Sequence, residues 1–271
     1  MKKTGDKQKF NQICKDIKSI KIQGARNIAK AGLQAYRLFP TPASKKKLLS
    51  LRPTEPMLEN VLNLAEKQPI AKILLHFNQA QEKINKLTFK LIKNNDVIYT
   101  HCHSTNVSNA LIYTKKQGKK FEVYNTETRP LMQGRKTAKE LRKAGIKVTM
   151  FIDSAVDVAL SGKQKNKKAN KIFLGADALT NQGIINKVGS GTIAKLAGLN
   201  KIPLYIIADS WKYAKKSVPL ENRKLNEVWN KAPKNIKIKN PSFEFVNKKY
   251  IKNIVTEHGA LSYNQFLKKV G

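Results

Sequence analysis

Between residues 96 and 207, short apolar runs recur every 24 to 33 residues or so, and no other feature constrains the fold as tightly. The runs are Val97-Ile98-Tyr99, Phe121-Glu122-Val123, Val148 to Ile152, Ile172-Phe173-Leu174 and Leu204 to Ile207. Each has the length of a buried strand, and helical stretches lie between them. That alternation is the rhythm of a parallel sheet, in which a crossover helix carries the chain back to begin the next strand in the same direction. Before residue 92 the pattern is helical. Ile13, Ile17, Ile20 and Ile28 recur at roughly helical spacing, as do Leu58, Val61, Leu62 and Leu64. Breaks at Phe39-Pro40-Thr41-Pro42 and at Arg52-Pro53 separate these helices, because a residue before proline is pushed out of the helical region. The expected fold is α/β: an amino-terminal helical domain over residues 1–94, then a Rossmann-like parallel-sheet domain over residues 95–271. The boundary falls near Asn94-Asn95.

The string from Gly175 to Ser190 narrows the location of a site. Asp177 stands just after the apolar run Ile172-Phe173-Leu174, the pair Asn186-Lys187 follows, and Gly189 and Gly191 lead into a helix-like segment. Open α/β sheets bind phosphorylated small molecules at the carboxyl ends of their strands, where helix N-termini offer free N–H groups. Asp177 could simply cap a turn, but an acid directly after a buried strand is a better proton donor, since partial burial raises a carboxyl pKa toward neutrality. Cys102 holds the matching place after the first run. A thiol just ahead of the Ser104-Thr105 helix start is expected to have its pKa lowered by that helix terminus, although a buried structural cysteine has the same sequence appearance. His101, Cys102 and His103 make a poor metal site, because neighbours on a strand point to opposite faces. His76 and His258 stand alone in the sequence and read as structural histidines. Arg129 reads as half of a buried ion pair or as a wall of the pocket.

The chain has 271 residues, enough for one large or two modest domains. No run of about 18 apolar residues occurs, and the first residues carry charge but no apolar stretch, so neither a membrane span nor a secretory signal is expected. Two cysteines, Cys14 and Cys102, cannot build a disulfide framework, which fits a reducing cytoplasm. The formal net charge of +35 suggests nucleic acid at first sight, but it comes from 46 Lys and only 7 Arg. Nucleic-acid sites favour the planar, bidentate guanidinium. The lysines also spread along the chain, with short clusters at Lys45–Lys47, Lys115–Lys120 and Lys163–Lys168 that lack interleaved aromatics. Weak, non-specific association with nucleic acid is therefore expected, together with a positive field that attracts sugar phosphates.

Several further segments are motifs rather than patterns. Along the chain come the segments Ile22-Gln23-Gly24-Ala25 and Leu51-Arg52-Pro53-Thr54, the segment Thr100-His101-Cys102-His103-Ser104, the turn Glu127-Thr128-Arg129-Pro130 with Gln133-Gly134, and the string Gly175 to Ser190. Together they resemble the family that contains the ribose-1,5-bisphosphate isomerases, the methylthioribose-1-phosphate isomerases and the regulatory subunits of translation initiation factor 2B. The likeness covers roughly residues 17 to 260. It implies Cys102 and Asp177 as the catalytic pair, and Gly24, Ala25, Arg52, Ser104, Asn186, Lys187 and Lys212 as substrate-binding residues.

The resemblance also implies a reaction: aldose–ketose isomerisation of a sugar whose anomeric carbon carries phosphate, through a cis-phosphoenolate, with no metal or organic cofactor. The ribose-1,5-bisphosphate branch in nucleotide salvage is expected, on three grounds. Cys102 and Asp177 are both present, Asp177 is followed by Ala178 and not by the Arg of the methylthioribose branch, and Lys212 in Asp209-Ser210-Trp211-Lys212-Tyr213 resembles a phosphate-binding lysine of the first branch. Gln23 and Arg26 depart from that branch's pattern, which has Arg and Gly there. The alternatives are a methylthioribose-1-phosphate isomerase and a non-catalytic regulatory subunit that keeps the pocket for an effector. As partners, the family implies a homodimer or homohexamer and leaves room for a nucleotide effector.

Overall fold

All five apolar runs form strands in the computed structural model, which describes residues 2–271, with side chains from Gly5 onward. They are β1 (Val97–Thr100), β2 (Glu122–Thr126), β3 (Lys147–Phe151), β4 (Lys171–Leu174) and β7 (Leu204–Ile207). These strands pair in parallel, and β7 pairs in parallel with β9 (Asn253–Thr256). An antiparallel edge strand, β10 (Gly259–Leu261), completes a seven-stranded sheet of order β10-β9-β7-β4-β1-β2-β3. Every residue of β1 and β7 is buried, as befits strands covered on both faces. Tyr99, Ile172, Leu174 and Ile206 point to one side, against α8 (Val156–Ser161), α9 (Ser190–Leu199) and α10 (Tyr263–Val270). Ile98, Phe173, Tyr205 and Ile207 point to the other, against α5 (Ile70–Leu91), α6 (Thr105–Lys116) and α7 (Gln133–Lys143).

The amino-terminal region is helical. The proline breaks fall between α2 (Ala25–Leu38), α3 (Pro42–Leu51) and α4 (Pro56–Ala65). In front of them, α1 (Lys2–Lys18) ends before Ile20, whose φ of +64° takes it out of the helix that its spacing suggested. Ile17, Ile28, Leu58 and Leu62 share one core cluster, while Ala29, Val61, Ile73 and Phe77 share a second.

The segment after Asp177, expected as a plain turn, is a hairpin. β5 (Ala178–Leu179) and β6 (Gly183–Lys187) pair antiparallel, and β8 (Phe243–Asn247) adds to β6 to make a second, three-stranded sheet. The turn is pinned from a distance, because the Tyr263 hydroxyl donates to the carbonyls of both Thr180 and Gly183. No local pattern in residues 178–187 reports β8, which lies more than fifty residues downstream.

The strand order places the site. From β1 the chain winds outward to β2 and β3, then returns to β4 on the other side of β1 and winds outward again through β7 and β9. At such a switch point the crossover helices diverge to opposite faces, leaving a crevice beyond the carboxyl ends of β1 and β4.

Candidate active site

Cys102 and Asp177 leave neighbouring strands at this crevice. Cys102 lies two residues past the end of β1 with φ of +64°, a conformation that costs a non-glycine residue energy and is held here by its surroundings. Its N–H donates to Thr128 Oγ1 at 3.0 Å, and its carbonyl accepts from Thr137 Oγ1 at 2.8 Å. Thr128 N–H in turn donates to Asp153 Oδ1 at 2.9 Å. Asp177 lies three residues past β4, with its N–H on the Ile185 carbonyl at 2.9 Å, so the hairpin fixes it. Gly175 lets the two strand ends approach: a Cβ there would lie 2.5 Å from Ser104 Oγ. Ser104 caps α6, accepting from Val107 N–H.

Nine residues singled out in the sequence, Gly24, Ala25, Arg52, Cys102, Ser104, Asp177, Asn186, Lys187 and Lys212, line one cavity of about 120 Å³. Gly24 has φ of +82° and starts α2 beside the cavity with no side chain capping the helix. Lys212 is buried and donates from Nζ to the Ala176 carbonyl at 2.6 Å. Lys187 is buried, and among the described residues it has no ion-pair partner within 4.0 Å. Asn186 donates to Ser190 Oγ, which donates to the Lys187 carbonyl. Arg52 Nη2 lies 3.5 Å from Glu55 Oε1, and its Nε lies 3.2 Å from Glu221 Oε2.

The electrostatics correct one expectation. Burial pushes the Cys102 thiol up to about 12 and a nearby Asp177 adds to the rise, while Lys187 opposes it. Burial of the thiol outweighs any help from the α6 terminus, although the residue as a whole is only half-buried. Burial likewise raises Asp177, against the pull of Lys212, Arg52 and Lys187. Glu55, which sequence reasoning missed, lines the same cavity, and burial together with Asp177 pushes it up to about 8. Arg26, Gln23 and Arg223 also line the cavity. The first two were noticed only as departures from a pattern; Arg223 lies in a loop whose composition gave no signal beyond its richness in Lys and Asn.

The histidines find separate partners. His101 Nε2 donates to the Val188 carbonyl at 2.9 Å, so Nδ1 accepts from the Thr126 hydroxyl at 2.6 Å, and burial lowers the ring's pKa. Thr137 gives its only proton to the Cys102 carbonyl, so His103 Nδ1 must donate to Thr137 Oγ1 at 3.0 Å; burial lowers its pKa to about 4. The reason these residues do not converge on an ion is thus the turn and its partners, not strand alternation. Arg129 is exposed and hydrogen-bonded to the Val228 carbonyl; among the described residues it has no ion-pair partner, and it is not part of the cavity wall, because the turn through Thr128 aims it outward. His76 does not stand alone. It stacks on Trp211 with ring centres 3.5 Å apart, and its Nε2 lies 3.2 Å from Asp209 Oδ1 and 4.0 Å from Glu257 Oε1. His258 Nε2 lies 3.5 Å from the same Glu257 oxygen. One nitrogen and two carboxylate oxygens of His76, Asp209 and Glu257 lie within 4.8 Å of one another, a spacing a cation could use. Both acids already have work: Asp209 accepts from Trp211 N–H, and Glu257 accepts from Ser210 N–H and Oγ. They hold the short turn that carries Lys212.

Comparison with known proteins gives the family. Residues 42–263 match the profile described as the Initiation factor 2 subunit family. An Archaeoglobus fulgidus protein named ribose 1,5-bisphosphate isomerase is 31% identical over 278 aligned positions, covering 90% of this chain and 87% of its own. A Thermosipho melanesiensis protein named methylthioribose-1-phosphate isomerase is 34% identical, covering 79% of this chain and 66% of its own. The solved structure of translation initiation factor eIF-2B from Pyrococcus horikoshii OT3 superposes with a TM-score of 0.81 at 25% identity, over 93% of this chain and 96% of that one.

Proposed function

The chain belongs to the Initiation factor 2 subunit family, and from that premise we propose that it is an isomerase converting ribose 1,5-bisphosphate to ribulose 1,5-bisphosphate. The observation that carries this reading is the convergence of Cys102, Asp177 and three buried cations, Arg52, Lys187 and Lys212, on one cavity at the switch point of the sheet. A phosphate on the anomeric carbon blocks ordinary ring opening, so the protein must help break the bond between C1 and the ring oxygen. Asp177, kept protonated by burial, gives its proton to the ring oxygen. Cys102, as thiolate, takes the proton from C2. The resulting enediol phosphate recovers a proton at C1 from Cys102, and its C2 hydroxyl returns a proton to Asp177 as the ketone forms. Protons balance over the cycle. The thiolate is the demanding state, and Lys187 is the cation that favours it. Arg52, Lys212 and the start of α2 are positioned to hold the two phosphates and the charge that develops between them.

A coupled assay offering ribose 1,5-bisphosphate and methylthioribose 1-phosphate separately tests the reading. Turnover of the bisphosphate alone is expected; turnover of the methylthio sugar alone would move the protein to the other isomerase. The likeness to the Pyrococcus horikoshii protein favours a second reading, a non-catalytic regulatory subunit, which would show as no turnover of either sugar together with retention of initiation factor 2 in a pull-down. The proposal extends to a homodimer or homohexamer in the cytoplasm, and light scattering gives the size. Among the described residues no helix is long and apolar enough to cross a membrane.

A further inference from the structure

Two carboxyl groups line the cavity, those of Asp177 and Glu55. Glu55 precedes α4, where an acidic side chain ordinarily accepts a hydrogen bond from the first-turn N–H groups, yet it makes no such bond. Instead the side chain turns inward and is 1% exposed. Its Oε1 lies 3.5 Å from Arg52 Nη2, and its Oε2 has no hydrogen-bond partner. A carboxylate buried with one oxygen unpartnered is costly, and a neutral carboxyl is much less so.

The charged groups near this acid come from its own turn and from three other places in the fold. Arg52 enters from the α3–α4 turn, Asp177 from the end of β4, Lys212 from the turn after β7 and Glu221 from the long loop before β8. Asp177 faces Lys212, Arg52, Glu221 and also Lys187 from β6. Arg223 is spent on Glu221 and Glu227. Three carboxylates therefore share a region with three cations that a bisphosphate would also need.

We propose that Glu55 and Asp177 hold one acid proton between them, Glu55 acting as the positioning residue that retains this proton in the cavity for Asp177 and that makes docking of an anionic sugar phosphate proton-coupled. Two acids buried in one cavity cannot both ionise cheaply, so the last proton is lost from the pair at a higher pH than from either acid alone. Burial raises both acids, and the Asp177 charge adds to the rise of Glu55. A phosphate arriving at Arg52 brings further negative charge, so the pair takes one proton from solvent as it binds. During the reaction Asp177 gives a proton to the ring oxygen and regains one from the C2 hydroxyl, and the pair ends with the count it began with. The inference rests on the reading of Asp177 as the acid of the proposed isomerisation.

The test compares the native chain with Glu55→Gln, which keeps the shape and removes the charge. The alkaline limb of kcat/KM against pH should move down by about one unit or more, because Asp177 without a second acid to share and retain the proton loses it more readily. Glu55→Asp should restore the limb. Calorimetry with ribose 1,5-bisphosphate near neutral pH, in two buffers of different ionisation enthalpy, should report net proton uptake for the native chain and little for Glu55→Gln. A thermal melt checks that the variant is folded; should it not fold, the native chain's own proton uptake decides. An unmoved alkaline limb, or zero uptake by the native chain, would overturn the proposal. Absence of turnover in the native chain would instead remove the isomerase reading, and calorimetry with inorganic phosphate would still count the proton.

Discussion

The two walls of the cavity are built by different means. On the sheet side, Cys102, Ser104, His101 and Asp177 stand where the main chain puts them, through Thr128 on the Cys102 N–H, Ile185 on the Asp177 N–H, and His101 bridging Thr126 and Val188. On the opposite side, Arg52, Glu55 and Arg223 line the cavity, and Glu221, which does not line it, pairs with both arginines across two loops. That wall contains unsatisfied atoms: Arg52 Nε, Glu55 Oε2 and Glu221 Oε2 are buried without a well-aligned hydrogen bond. The first wall is rigid and suited to groups that must meet a reacting carbon. The second can exchange a protein carboxylate for a phosphate oxygen at little structural cost, since both are anionic acceptors for the same guanidinium.

The sharpest break of this comparison is on the rigid wall. Cys102→Ser should lower turnover by about 100-fold or more with substrate binding nearly unchanged, because serine is almost isosteric and far less acidic. Initial rates with a separate binding measurement check it, and near-native turnover would remove Cys102 from the mechanism. Next comes the charge wall. Lys212→Ala should weaken a bisphosphate by ~10- to 100-fold and a monophosphate much less, since it removes one end of a buried clamp. Equal losses for both ligands would mean that Lys212 serves only the Ala176 carbonyl.

A smaller effect concerns stability. The folded protein holds the Glu55 proton more tightly than the unfolded chain does, so this group's contribution falls as pH rises from the ordinary carboxyl range near 4.5 toward 8. Glu55→Gln should therefore gain on the native chain above pH 8, on the order of 1–2 kcal/mol, and show little advantage at pH 5. Urea unfolding at the two pH values measures it; a loss at pH 9 would contradict the buried-proton account. The smallest effect lies outside both walls. Lys-to-Gln changes across Lys163–Lys168 should reduce RNA binding that is already weak and steeply salt-dependent, and leave isomerisation as it was. Salt-resistant, sequence-selective RNA binding would show that the +35 charge serves a dedicated surface.

The helical and sheet regions differ in how much of them could be read in advance. Pro40, Pro42 and Pro53 act locally on φ and on the preceding residue, so the helix ends they dictate were legible. The central parallel strands were legible because they bury both faces, which leaves a short apolar run; β3, at the sheet edge and with no fully buried residue, showed only through Val148, Met150, Phe151 and Ile152. β8 was not: of its five residues Val246 alone is buried, and the strand gains its pairing only when β6 lies beside it. Within the cavity, the motif residues announced themselves, whereas Glu55 and Arg223 carry no local mark of function. Arg129 misled because a motif fixes which residue is present and not which way its side chain turns.

What the sequence determined by itself was the parallel sheet, the proline-bounded helices and the presence of Cys102 and Asp177 at strand ends, since apolar periodicity and proline geometry act over a few residues. What only the tertiary structure decided was the chemical state of the site. The Cys102 thiol is raised and not lowered, His76 joins Asp209 and Glu257, and Glu55 faces Asp177, because burial and charge at one point are sums over groups from distant parts of the chain. Such sums exist only once the chain has folded.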